Sequence, residues 1–135
     1  MKKLLSITVL AVMICLSGLI ISDTAFAQQC VDNGNGTVTD TNRGLMWQKA
    51  TGGPMTWYRA SVPHISSTQG LGGHYDWRLP EKHELQGVYG SAQCRGLLTV
   101  ISFAYWSNTS VPDELAWLVA PSGETGLEPK TFDYY

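Results

Sequence analysis

The side chains able to do chemistry in this chain are few and scattered. His64, His74 and His83 lack the i, i+4 spacing with which a helix presents two metal ligands. His74 lies two residues before Asp76, a spacing that suits an acid–base pair, yet no serine or cysteine stands nearby in sequence to be activated. Asp113-Glu114 offers two carboxylates of the kind a glycosidase pairs, but neighbouring side chains on a turn diverge, so a solvated surface is the plainer reading. The run Asp32-Asn33-Gly34-Asn35-Gly36-Thr37-Val38-Thr39-Asp40 has the oxygens and glycines of a calcium loop. Its spacing is wrong for an EF-hand: with Gly36 as the sharp-turn glycine, Val31 takes the first ligand position and no glutamate follows at the required distance. A hairpin turn with Asx hydrogen bonds is expected there instead. No metal, cofactor or catalytic residue is expected, and the chain does not read as an enzyme.

Binding chemistry has better candidates. Arg78 sits between Trp77 and Leu79 beside Asp76, where it can reach a sulfate or carboxylate, or else tie loops to a helix end. Lys82 and Arg43 are further anion contacts. Tyr75 and Tyr89, with Tyr58, Tyr134 and Tyr135, are the aromatics expected at the surface, where a ring face can stack on a sugar. Trp47, Trp57, Trp77, Trp106 and Trp117 occupy inward-looking positions and read mostly as core.

The elements that must hold these residues are short. Two consecutive Asn-Gly pairs at 33–36 follow a lead-in at 28–33 and announce a tight turn. Thr37-Val38-Thr39 and Leu45-Met46-Trp47-Gln48, joined by a turn at 40–44, form a hairpin. Thr56 is placed to cap a helix from Trp57 with Trp57, Ala60 and His64 on one face, and Pro63 bends or ends it. Gly70-Leu71-Gly72-Gly73 is a loop leading to Trp77. Pro80 suits a first helical turn with Glu81 and Glu84 near the positive end of the dipole, and Leu85, Val88 and Tyr89 can face inward before Gly90 ends the helix. Residues 91–104 remain open between buried strand and short helix. Strands follow at 105–110 and 115–120, with a turn at 121–126 and a last strand beginning at Leu127.

Lys2 and Lys3, the apolar run 4–21 and Ala25-Phe26-Ala27 form the pattern of a cleaved export signal. A transmembrane anchor is the rival, because the run approaches the ~18 residues that span a bilayer. Cys15 does not suit lipid attachment, since Met13-Ile14 precedes it. Residues 28–135 then make one modest domain, exported to the periplasm, the medium or the cell surface, with no membrane association after cleavage. The formal charge is −2, and the scattered cations give no extended basic stripe, which argues against nucleic acid as a partner. Cys30 and Cys94 remain after cleavage; an even pair in an exported domain is most simply a disulfide. A reactive Cys94 beside a histidine is the alternative.

The ordered phrases Gly44-Leu45-Met46-Trp47-Gln48-Lys49, Asp76-Trp77-Arg78-Leu79-Pro80 with Glu84-Leu85, Tyr105-Trp106-Ser107-Asn108-Thr109-Ser110 and Ala116-Trp117-Leu118-Val119 resemble the Lcl C-terminal domain family, named for the Legionella collagen-like adhesin. The resemblance runs from about Asp32 to Ala120. It implies an α+β fold of small antiparallel sheets with two short helices, similar to C-type-lectin-like and formylglycine-generating-enzyme-like architectures. Relatives continue past a Tyr-Tyr position into a strand with a cysteine, so the closing strand is expected to be missing or replaced. They also carry a first-helix cysteine where this chain has Val62-Pro63-His64, leaving Cys30–Cys94 as the one intramolecular pair. The resemblance implies a non-enzymatic, adhesin-like or envelope-associated binding module for a polysaccharide or cell-surface glycan, and self-association, since the adhesin is a trimer. The alternatives are a truncated structural member without a ligand, and a hydrolase or oxidase-like enzyme.

Overall fold

Gly34 and Gly36 hold φ of 74° and 86°, a region a side chain resists and glycine occupies freely. They turn the chain from β1 (Cys30–Asp32) into β2 (Thr37–Asp40), and a second turn leads into β3 (Leu45–Gln48). The computed structural model describes residues 28–62, 70–100, 103–112 and 114–135. Residues 1–27, expected as a leader, and Pro63, His64 and Asp113 lie outside them. The three strands pair antiparallel in the order β1-β2-β3, with Val38 opposite Trp47 and Asp40 opposite Leu45. The segment expected as a lead-in is therefore partly a strand: Cys30 lies opposite Asp40 and Val31 opposite Thr39.

Thr56 caps α1 (Trp57–Ala60), accepting from the Arg59 amide as its sequence position implied. Two indoles staple this single turn to the second sheet. Trp57 Nε1 donates to the Ser107 carbonyl at 2.8 Å, and Trp106 Nε1 donates to the Met55 carbonyl at 2.9 Å.

α2 (Lys82–Gly90) opens with a capping box in which Glu81 and Glu84 satisfy each other's backbone amides. Leu85, Val88 and Tyr89 face inward, as i, i+3, i+4 spacing requires. Ser91 then caps α3 (Ala92–Leu97), accepting from the Cys94 amide at 3.3 Å. The region left open between strand and helix thus begins as a helix, and the described residues of the domain hold three short α-helices plus a 3-10 turn at Leu71–Gly73 where two helices were expected.

The second sheet runs β4 (Tyr105–Val111), β5 (Leu115–Val119), β6 (Thr125–Pro129), antiparallel throughout in that order. β6 starts at Thr125 because the Ala120 amide bonds the Glu124 carbonyl and closes the turn early. Residues 134–135 are tied back, with Tyr134 bridging Met55 and the Trp106 amide donating to the Tyr135 carbonyl.

Alternation along β5 divides the interior in two. Val119 joins Cys30, Val38, Leu85, Val88, Tyr89 and Cys94 in one core, whereas Leu118 and Ala116 join Trp106 in the other. The Cys30–Cys94 disulfide forms, linking β1 to α3 at full burial. No described helix is long and apolar enough to cross a membrane.

Candidate functional site

The most recognisable phrases of the sequence meet at one knot. Arg78 forks onto Glu84, Nη2 to Oε1 at 2.6 Å and Nη1 to Oε2 at 2.9 Å, and also donates to the Leu79 carbonyl. Glu84 Oε2 in turn accepts from the Glu81 amide at 2.7 Å. Glu81 accepts from Asn108 Nδ2 at 3.0 Å and Thr109 Oγ1 at 2.6 Å. The Asn108 amide donates to the Pro80 carbonyl, and the Lys82 amide to Thr109 Oγ1. The start of α2 is thereby sewn to β4. Each carboxyl titrates below its ordinary value for a stated reason: the Arg78 guanidinium holds Glu84 down, and the Thr109 hydroxyl and Asn108 amide hold Glu81 down. Arg78 rises in return through its bond to Glu84. Of the two roles open to Arg78, tying a loop to a helix end is the one its geometry shows.

Beside this knot lies a cleft of about 570 Å³ bounded by β3, the 74–80 segment, α2 and residues 98–100. Trp47, Trp77, Leu79, Leu98 and Val100 give it apolar walls, and His74, Asp76, Arg78 and Lys49 contribute polar groups. Trp77 is positioned by the 3-10 turn, its Nε1 donating to the Leu71 carbonyl at 3.1 Å. Trp47 Nε1 is buried with no hydrogen-bond partner among the described residues. His74 Nδ1 and Asp76 Oδ1 are 3.6 Å apart and both exposed, longer than a hydrogen bond.

The other expected contacts disperse. Arg43 pairs with the buried Asp40 at 2.8 Å, and its guanidinium fills the space over Gly87. Lys82 Nζ lies 3.3 Å above the Trp117 ring, a cation–π contact. Tyr75 is 77% exposed, as expected, but stands outside the cleft lining. Tyr89 is the correction. Expected at the surface as an aromatic contact although its helical spacing also allowed it to face inward, it is 6% exposed, its ring 5.4 Å from that of Tyr105, because the α2 face carrying Leu85 and Val88 turns it into the core. Burial drives its phenol well above the ordinary range. It reaches the cleft only as part of the floor.

Trp47 and Trp77, read as core, are half-buried on the cleft walls. The signal that marked Trp77 was the glycine loop delivering it. Nothing in sequence joins it to Trp47, thirty positions earlier. The Asp32–Asp40 run behaves as an Asx-bonded turn, with the Gly34 amide on Asp32 Oδ1 at 3.0 Å. Lys49 pairs with the other oxygen of Asp32 at 2.6 Å, and that bond lowers the Asp32 pKa. Sulfur and carboxylate atoms of Cys30, Asp40 and Cys94 do converge, but both sulfurs are spent in the disulfide, and Asp40 accepts from the Asn42 and Arg43 amides.

Two three-stranded antiparallel sheets, a capped helix between them and an aromatic-walled cleft define a small α+β domain. The model of the Lcl C-terminal domain family matches residues 36–135. The chain belongs to that family. No match emerges among curated proteins.

Proposed function

We propose that this chain is an exported, non-catalytic binding module, adhesin-like or envelope-associated, that takes a glycan or similar surface polymer in the cleft between β3 and Trp77. One observation carries the reading: Trp47 and Trp77 line one cleft whose remaining surface mixes apolar and polar side chains. Sugars present apolar CH faces and hydroxyl edges, and such a lining suits both. The three cations expected to meet anions are already engaged, Arg78 on Glu84, Arg43 on Asp40 and Lys82 on Trp117. That favours a weakly charged polymer over a heavily sulfated one.

The test is titration calorimetry of the full chain against neutral and sulfated polysaccharides at low salt, with Trp77→Leu and Tyr75→Ala compared. Binding lost in the first variant and kept in the second supports the cleft. Loss confined to Tyr75→Ala moves the site to the outer surface. No uptake of any polymer by the folded protein ends the proposal, and a turnover abolished by His74→Ala replaces it with an enzymatic one.

A further inference from the structure

The turn between β1 and β2 contains Asn33-Gly34 and Asn35-Gly36 in succession. An asparagine before glycine is open to attack by the next backbone nitrogen, because no side chain shields that nitrogen. The two pairs are alike in sequence, and the fold treats them differently.

At Asn33 the reacting groups are held. Its Nδ2 donates to Thr37 Oγ1 at 2.8 Å and to Thr39 Oγ1 at 2.9 Å, while the Gly34 amide points at Asp32 Oδ1. Swinging the Asn33 carboxamide toward the Gly34 nitrogen breaks those bonds. At Asn35, neither the Gly36 amide nor Asn35 Nδ2 has an acceptor among the described residues. Thr37, fully buried, donates its hydroxyl to Asn35 Oδ1 at 2.7 Å, closer than the 3.3 Å at which the Thr39 hydroxyl donates to Asn33 Oδ1. The donation from Asn33 onto Thr37 Oγ1 fixes that hydroxyl's proton on Asn35. A donor so placed draws charge from the Asn35 carbonyl carbon and stabilises the oxyanion formed when a nitrogen adds to it.

We infer that Asn35 is a built-in deamidation site that reacts ahead of Asn33 in the folded protein. The Gly36 nitrogen gives its proton to solvent and adds to Asn35 Cγ. The Cγ–Nδ2 bond breaks, ammonia leaves and a succinimide remains. Water, the sole co-reactant, opens either ring carbonyl to leave aspartate or isoaspartate. Both products bring a negative charge, and isoaspartate also adds a methylene to the backbone. The change falls against the Leu71–Gly73 turn. A Cβ built on Gly72 would lie 3.3 Å from Asn35 Nδ2, and one on Gly36 would lie 3.2 Å from Leu71 Cδ1. Leu71 supplies the carbonyl that holds Trp77, so the modification is felt at the cleft wall.

The experiment incubates the full chain in mildly alkaline buffer, folded and in denaturant, and locates the NH2-to-OH mass change by peptide fragmentation. In the folded chain Asn35 converts several-fold faster than Asn33, and in denaturant the two rates converge. Thr37→Val slows Asn35 and, by freeing its amide, speeds Asn33. Asn35→Gln, which leaves the threonine in place, removes the fast phase. Equal rates in the folded chain, a faster Asn33, or an Asn35 slower folded than denatured overturns the inference.

Discussion

Breaking the Cys30–Cys94 bond is the perturbation whose size follows most directly from the structure. The two residues are 64 positions apart, and in the chain-entropy account a loop of that length restricts the unfolded chain by about 4 kcal/mol. A domain of this size holds about 5–15 kcal/mol in all, so reduction removes a large share. The bond also joins weak elements, since β1 has three paired residues and α3 spans six. Urea unfolding followed by tryptophan fluorescence, with and without reductant, measures the loss. With a slope of about 2 kcal/mol per molar urea, the midpoint falls by about 2 M. The Cys30→Ala, Cys94→Ala double variant behaves as the reduced protein, with a further penalty for the two buried sulfurs it deletes. A loss under about 1 kcal/mol with an unchanged slope refutes the loop argument. A changed slope would show that the bond acts on the compactness of the denatured chain.

Glu81→Ala removes a helix cap and the acceptor of two β4 side chains, and thermal melts should show a cost of about 1–3 kcal/mol. Arg78→Ala breaks a pair whose arginine is half-exposed, and the same melts should show about 0–1 kcal/mol. The carboxyls of Glu81 and Glu84 sit below their ordinary value of 4.5 when folded. Their contribution is therefore complete above that pH and is lost as pH falls through the folded values. Urea midpoints measured across pH should decline below about 4.5, and less steeply in Glu81→Gln. Trp106→Phe loses a bond to the Met55 carbonyl, whereas Trp47→Phe loses a donor with no partner among the described residues. Chemical denaturation should find the first costlier by about 1 kcal/mol.

The hairpin at 37–48 and the inward face of α2 were legible because each rests on a local rule: β-favouring residues either side of the turn at 40–44 for the hairpin, i, i+3, i+4 spacing for the helix. The knot at Arg78 was half legible, since its residues sit in recognisable phrases but its partners on β4 lie about thirty positions away. β1 and α3 were not legible. Three and six residues carry too little periodicity to read, and what stabilises them is the covalent link between them. Tyr89 was read both ways, inward by helical spacing and outward as a ligand contact, because a phenol suits either surface or core, and the helix face decides. The cleft escaped entirely, because Trp47, Trp77 and Val100 are brought together by tertiary packing alone.

The pairing of Met55 with Tyr134, and of Trp106 with Tyr135, has a consequence for how the molecule comes into being. The second core gathers residues from α1, from β4 and β5, and from Tyr134. A chain emerging from the ribosome cannot complete that core until Tyr134 joins the residues of α1, made long before it. Such long-range closure is slow, and the second core stays incomplete until Tyr134 docks against it.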